Sequence, residues 1–372
     1  MRLVATRTIE PGTMLAKPIY TDRRKVLIQK EIKLTKNMLK RLLQLGITYV
    51  YIHDEYTKDI LVSSPVSDEL RIDAVNTIKQ SFTRFQKEGF VEGSYIFEQT
   101  GKQMSGMVQN LLKEMQGKDE VLSILSDILI TDDYVFSHSL NVTIYSLALA
   151  TELGLPQRKL EEIGLGAMLH DVGKMFIPDE ILQKEDKLTD YEFEVIKHHT
   201  DEGFNFLRKS QNIPLLVAHC AYQHHERLNG SGYPRGLIQD EIHEYAKIIG
   251  IADVFDAVTS NRIYRDAMLP HEGLEVLYAG VGELFDKNMV EAFRKSIAVY
   301  PNGLTVELND GRIGVVSKQN PTVPDRPIIR IIEENGERLD PPYELDLLKQ
   351  LNFVITSCDT TFPKTRENIN NK

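Results

Sequence analysis

The spacing of apolar residues changes twice along this chain, and each change marks a change of architecture. In the first 65 residues the signal is mixed. Val26-Leu27-Ile28 is a short apolar run with strand character. Leu39, Leu42 and Leu43 then fall on one side of a helix over 35–45, with Thr35 as N-cap, and Gly46 ends it. The alternation over 47–52 reads as a strand. Ser63-Ser64-Pro65 reads as a linker. From 67 to 297 the period is almost wholly helical. It predicts helices over 68–87 and 98–115, then near 119–131, 133–153, 157–171, 189–209, 213–224, 241–261, 271–280 and 286–298, punctuated by Gly154, Pro156, Pro178, Pro214, Pro234 and Pro270. Beyond 299 short β-prone runs return at 304–308, 314–316 and 328–332, and Asn309-Asp310-Gly311 is a hairpin signal. The expected fold is mainly α. A helical bundle over 119–298 follows connecting helices at 66–118, and is flanked by a small α/β domain at 1–65 and a small β module at 299–357 with a polar tail at 358–372.

Composition narrows the function. At 372 residues the chain is long enough for two or three domains. The net charge of −10 argues against polymeric nucleic acid as a partner. An anionic substrate would need metal ions or local Arg and Lys. The two cysteines, Cys220 and Cys358, build no zinc cluster or disulfide framework, so a reducing, cytoplasmic setting is expected. No apolar run reaches the roughly 18 residues of a membrane span, and Met1 to Ala5 lack the apolar core of a signal peptide.

Candidate chemistry is concentrated in the helical region, where eight of the ten histidines lie between 138 and 243. His138 shares a helical face with Val142, Tyr145 and Leu149, so it points inward; alone it reads as a core histidine with a hydrogen-bond partner. His170-Asp171 closes a helix before Gly173, and adjacent helical residues point about 100° apart. Such a pair can serve two metals or form a helix-end salt bridge. His198-His199 and His224-His225 are doublets that could be solvated surface. Asp253 sits in Ile248-Ile249-Gly250-Ile251-Ala252-Asp253-Val254-Phe255, a buried helix where a carboxylate needs a cation, either a metal or an arginine. Their joint occurrence shifts the balance to a metal site.

The strings His170-Asp171-Val172-Gly173-Lys174 and His224-His225-Glu226-Arg227-Leu228-Asn229-Gly230-Ser231-Gly232-Tyr233-Pro234 resemble the signatures of the HD-GYP phosphodiesterases, a branch of the HD phosphohydrolase superfamily. The segments 253–265 and 282–286 resemble the family as well, and the resemblance covers about 119–298. It implies an all-helical HD-type catalytic bundle with His138, His170, Asp171, His199, His224, His225 and Asp253 as metal ligands, Asp171 bridging two metals. His199 is preferred to His198 because Gly203 follows it by four residues, as in the family. Lys174, Arg262 and Arg265 would hold phosphate, and Tyr233 and Pro234 would lie beside the pocket. The implied reaction is hydrolysis of cyclic di-GMP to linear pGpG, with GMP as a further product, by a hydroxide bridging two divalent ions, iron or manganese. The alternatives are another cyclic dinucleotide such as 3′,3′-cGAMP, or a cyclic-dinucleotide sensor that docks a protein partner at the Gly-Tyr-Pro loop. The long polar-faced helices at 68–115 leave a homodimer contact open. Two departures stand out. Tyr134 occupies the place where some members carry a glutamate for a third metal, so two metals are expected, and Ile263 stands where the family has proline.

Overall fold

In the computed structural model, the described residues are 1–358 apart from 22–25, 46, 48, 63–64, 89–94, 117–128, 131–133, 183, 185, 261–267 and 321. Gly46, Ser63 and Ser64, the expected helix at 119–128, Ile263, Arg262, Arg265 and the side chain of Tyr134 therefore lie outside what is described.

The amino-terminal region holds β1 (Arg2–Ala5), β2 (Ile19–Thr21), β3 (Val26–Ile28), α1 (Lys36–Gln44) and β4 (Tyr49–Ile52). Thr35 caps α1 as expected, its hydroxyl accepting from the Met38 N–H at 3.2 Å. The long helices α2 (Asp68–Glu88) and α3 (Tyr95–Met115) lead to a two-residue strand, β5 (Leu129–Ile130). The helix expected near 119–131 is thus corrected at its end. Leu129 and Ile130 pair in parallel with Tyr20 and Thr21, so the free edge of β2 outweighs local helix propensity.

The bundle proper comprises α4 (Tyr134–Glu152), α5 (Gln157–Leu169), α6 (Asp179–Leu182), α7 (Asp190–Lys197), α8 (His199–Leu207), α9 (Leu215–Gln223), α10 (Glu244–Thr259), α11 (Pro270–Ala279) and α12 (Lys287–Ser296). Helix α4 lies at its centre, against α2, α5, α10 and α12. Leu140, Val142, Ile144, Leu147 and Leu149 are fully buried, as expected of a helix apolar all round. Two expected helices are shorter than their pattern. The one at 157–171 stops at Leu169, and His170 and Asp171 enter a 3-10 turn over Val172–Phe176. The one at 189–209 breaks at His198 into α7 and α8, with a capping box at Thr189 and Glu192 starting α7. The first break carries His170 and Asp171, and the second is followed at once by His199.

Beyond the bundle, β6 (Thr305–Leu308), β7 (Ile313–Lys318), β8 (Ile328–Glu334), β9 (Glu337–Asp346) and β10 (Ile355–Cys358) form an antiparallel sheet in the order β10-β6-β7-β8-β9. The Asn309-Asp310-Gly311 hairpin joins β6 to β7, with Gly311 at φ +84°. The two flanks meet: Leu3 and Tyr51 share a core with Leu304, Val306, Ile329 and Ile331. The Arg330 guanidinium, on β8, donates to both oxygens of Asp59. Among the described residues no helix is long and apolar enough to cross a membrane.

Candidate metal centre

Five chain segments bring seven side chains to one buried point. His138 comes from α4, His170 and Asp171 from the turn after α5, and His199 from the first position of α8. His224 and His225 follow the end of α9, and Asp253 comes from α10. His138, His170, Asp171, His199, His224 and Asp253 are buried, and His225 is partly so. Glycines permit the approach. A Cβ on Gly250 would stand 2.7 Å from the His224 carbonyl oxygen, so α10 lies directly against the end of α9.

The two oxygens of Asp171 face different ways. Oδ2 lies 3.4 Å from His170 Nε2 and 3.5 Å from His138 Nε2. Oδ1 lies 3.5 Å from His199 Nε2 and 3.9 Å from His224 Nε2. Potential ligand atoms therefore fall into two groups that share Asp171: His138 and His170 on one side, His199, His224 and His225 on the other. Asp253 spans both, with Oδ1 3.1 Å from His138 Nε2 and Oδ2 3.7 Å from His225 Nδ1.

The tautomers follow from the outer partners. His170 Nδ1 donates to the Ala167 carbonyl at 2.6 Å and His199 Nδ1 to that of Ile196 at 2.7 Å. His224 Nδ1 donates to the carbonyl of Ala221 at 3.0 Å. A carbonyl can only accept, so each of these three rings, when neutral, turns a bare Nε2 lone pair inward. Nε2 of His199 and Nε2 of His224 face each other at 3.4 Å. Buried Nε2 of His170 and Oδ1 of Asp171 have no hydrogen-bond partner. Bare lone pairs that converge on a carboxylate oxygen with no hydrogen-bond donor, as at Asp171 Oδ1, repel it unless a cation lies between them, so the donor set fits divalent metal.

The electrostatics agree. Burial pulls His199 down to about 4 and, with neighbouring histidines, holds His224 well below the usual imidazole range. Burial likewise lowers His225. These rings are neutral, as ligands must be. Burial also acts to lower His138, but hydrogen bonds to Asp253 and Asp256 outweigh it and raise this ring to about 9; its proton is the stand-in for a cation among carboxylates. Burial opposes the charge on Asp171, yet Lys174 and His170 hold it well below the carboxylate range. Lys174, partly exposed, places Nζ 2.5 Å from Asp171 Oδ2.

Residues 123–289 match the family model described as HD domain. That stretch of the chain is similar to the HD domain family. A second match, to a KOW domain associated with HD domain, covers 305–362 beyond it. Over 190 residues the chain is 40% identical to a cyclic di-GMP phosphodiesterase of Pseudomonas aeruginosa, covering 51% of this chain and 46% of that one. It is 34% identical over 244 residues to a cyclic di-GMP phosphodiesterase of Thermotoga maritima, covering 64% and 65%. It is 38% identical over 156 residues to 3′3′-cGAMP-specific phosphodiesterase 2 of Vibrio cholerae, covering 42% and 30%. The chain thus spans less than two thirds of each of these relatives.

Within this matched stretch the Gly-Tyr-Pro loop forms a rim of the site. Tyr233 stacks on His225, with ring centroids 4.6 Å apart. Gly232 is needed for closure, because a Cβ there would lie 2.4 Å from the Arg227 nitrogen and the His225 oxygen. Buried Glu226 pins the returning segment: Oε1 accepts from the Arg235 N–H at 2.8 Å and Oε2 from the Leu237 N–H at 2.9 Å. Glu226→Gln turns an amide NH₂ toward one of those N–H groups. We expect a cost of about 1–3 kcal/mol and faster amide exchange at Arg235 or Leu237. Unchanged protection at both would remove Glu226 from this role.

His198 stays outside the cluster that holds His199. Sequence reasoning missed Asp256. It is buried on α10, three residues after Asp253 and therefore on the same face, with Oδ2 2.7 Å from His138 Nδ1. The feature that singles out Asp253, a carboxylate in an apolar helix, is equally present at Asp256.

Proposed function

We propose that this chain is a metal-dependent phosphodiesterase that hydrolyses cyclic di-GMP to linear pGpG, with His138, His170, Asp171, His199, His224, His225 and Asp253 holding about two divalent ions, iron or manganese. The observation that carries this reading is the split of Asp171, one oxygen toward each histidine group. Ions held there supply Lewis acidity at the phosphoryl group and water of lowered pKa. The protein's own residues do the rest. Asp171 and Asp253 set the two groups in fixed register, and the backbone carbonyls behind His170, His199 and His224 keep those rings aimed inward. Lys174 turns from Asp171 Oδ2 to a non-bridging phosphate oxygen and stabilises charge as it develops. In a chain of net charge −10 this local cation matters, and Arg262 and Arg265 are assigned to the remaining phosphate charge. Tyr233, backed by His225, offers a ring face to a base, with Pro234 at its edge.

Relatives named for cyclic di-GMP support the substrate class, and the Vibrio cholerae relative named for 3′3′-cGAMP supports a second reading, with that dinucleotide as substrate. Both cysteines are buried, and a count of only two is in keeping with a reducing cytoplasmic setting. The test uses the full chain, purified without oxygen and reconstituted with iron or manganese. Metal is counted and both dinucleotides are followed by chromatography. Linear product with about two ions per chain is expected. Full metal occupancy without turnover of either dinucleotide would leave a sensor in place of an enzyme.

A further inference from the structure

Behind His138 runs a chain of hydrogen bonds in which each link fixes the next, and it leaves the matched HD domain. Asp256 Oδ2 accepts from His138 Nδ1, which forces the Nε2 lone pair toward Asp171 and Asp253 whenever the ring is neutral. Asp256 Oδ1 accepts from Asn141 Nδ2 at 2.9 Å and from the Ser260 hydroxyl at 2.8 Å. An asparagine amide can turn either way, and Arg71 decides which: its NH2 nitrogen donates to Asn141 Oδ1 at 3.0 Å. A guanidinium only donates, so the amide oxygen must face Arg71 and the amide nitrogen must face Asp256. Arg71 is 3% exposed and lies on α2, which precedes residues 123–289. The contact is a packed one, since α2 lies directly against α4.

We infer that Arg71, Asn141 and Asp256 are positioning residues for one of the two ions, and that α2 thereby forms part of the metal centre. The inference rests on the metal reading above. It concerns one ion only, because His138 belongs to the group with His170 and Asp171, whereas His199, His224 and His225 are held by backbone carbonyls or by Asp253. Helix α2 also follows directly on the amino-terminal region, so a shift of α2 along α4 would be felt first at Asn141 and then at His138.

The experiment is a manganese titration of the metal-stripped full chain against a competing chelator, with the melting temperature of the metal-free protein measured alongside. Asp256→Asn, Asn141→Leu and Arg71→Leu are compared with wild type, and Arg71→Lys serves where loss of the buried charge unfolds the chain. Each variant is expected to weaken one of two manganese ions about 10–100-fold and to leave the other at wild-type affinity. A merely structural role would lower the melting temperature and weaken both ions together, and that result overturns the inference. Wild-type affinity for both ions in the Arg71 and Asn141 variants overturns it as well, by ending the relay at Asp256. A wild type that does not bind two manganese ions sinks the metal reading itself, and the relay with it.

Discussion

Asp171→Ala is expected to abolish turnover and to empty both halves of the site, because Asp171 offers one oxygen to His138 and His170 and the other to His199 and His224, whereas Asp253, which also spans the groups, reaches only His138 and His225. The carboxylate stands 3.4–3.5 Å from His170, His138 and His199. Its loss leaves two histidine groups whose lone pairs face one another without the negative charge that makes a divalent ion worth dehydrating. A loss of about 4 kcal/mol in transition-state stabilisation corresponds to roughly a 10³-fold fall in rate. Asp171→Asn is the sharper variant. It keeps the shape, but one of its two positions becomes an NH₂ group that must point at His170 and His138 or at His199 and His224. One ion should then be lost more completely than the other. Elemental analysis and initial rates on the same sample decide the matter. Two retained ions with a rate within tenfold of wild type would show that Asp171 does not bridge.

Much of this site is legible in the sequence, and what is illegible there has a physical cause. The inward face of His138 can be read from its helical neighbours, because periodicity carries burial. The meeting of His138 with Asp253, 115 residues later, cannot, because no local rule specifies which buried faces touch. The HD and Gly-Tyr-Pro strings supply that step through resemblance to a family. Asp256 escapes notice although it obeys the same logic as Asp253; an aspartate that serves a histidine looks, in sequence, like one that serves a metal. The helix ends near the site are placed too late or bridged over, because His170-Asp171 and His198-His199 interrupt helices without the usual glycine or proline at the break. Strand β9 is missed for the opposite reason. Glu337-Arg338-Leu339-Asp340-Pro341-Pro342 carries charges and two prolines that local β-propensity disfavours, yet β9 is an edge strand of its sheet, where prolines and charges are tolerated. The core shared by the first and last parts of the chain depends on contacts across some 300 residues, such as the Arg2 guanidinium with the Thr305 hydroxyl, and no periodicity announces them.

Gly173→Ala is expected to damage the site without touching a single candidate ligand. The 3-10 turn after His170-Asp171 lies so close to the start of α8 that a Cβ on Gly173 would stand 1.8 Å from the His199 carbonyl oxygen and 2.6 Å from the Gly203 nitrogen. Both obstacles are backbone, so no rotamer change relieves them. Either the turn carrying Asp171 or the helix carrying His199 must retreat by roughly an ångström, and Asp171 Oδ1 and His199 Nε2 separate with them. We expect a loss of about 3 kcal/mol, seen as a melting temperature lower by roughly 6–12 °C, together with loss of the ion held by His199, His224 and His225. Gly106 provides the control. It lies in α3, and a Cβ there would meet nothing within 4 Å, so Gly106→Ala should stabilise the helix by about 0.5–1 kcal/mol. The two substitutions add the same methyl group and differ only in what it meets. If Gly173→Ala melts within about 2 °C of wild type by the measure of that scale and still binds about two ions, the turn has room that this geometry denies it, and the rigid spacing of Asp171 and His199 is not what organises the centre.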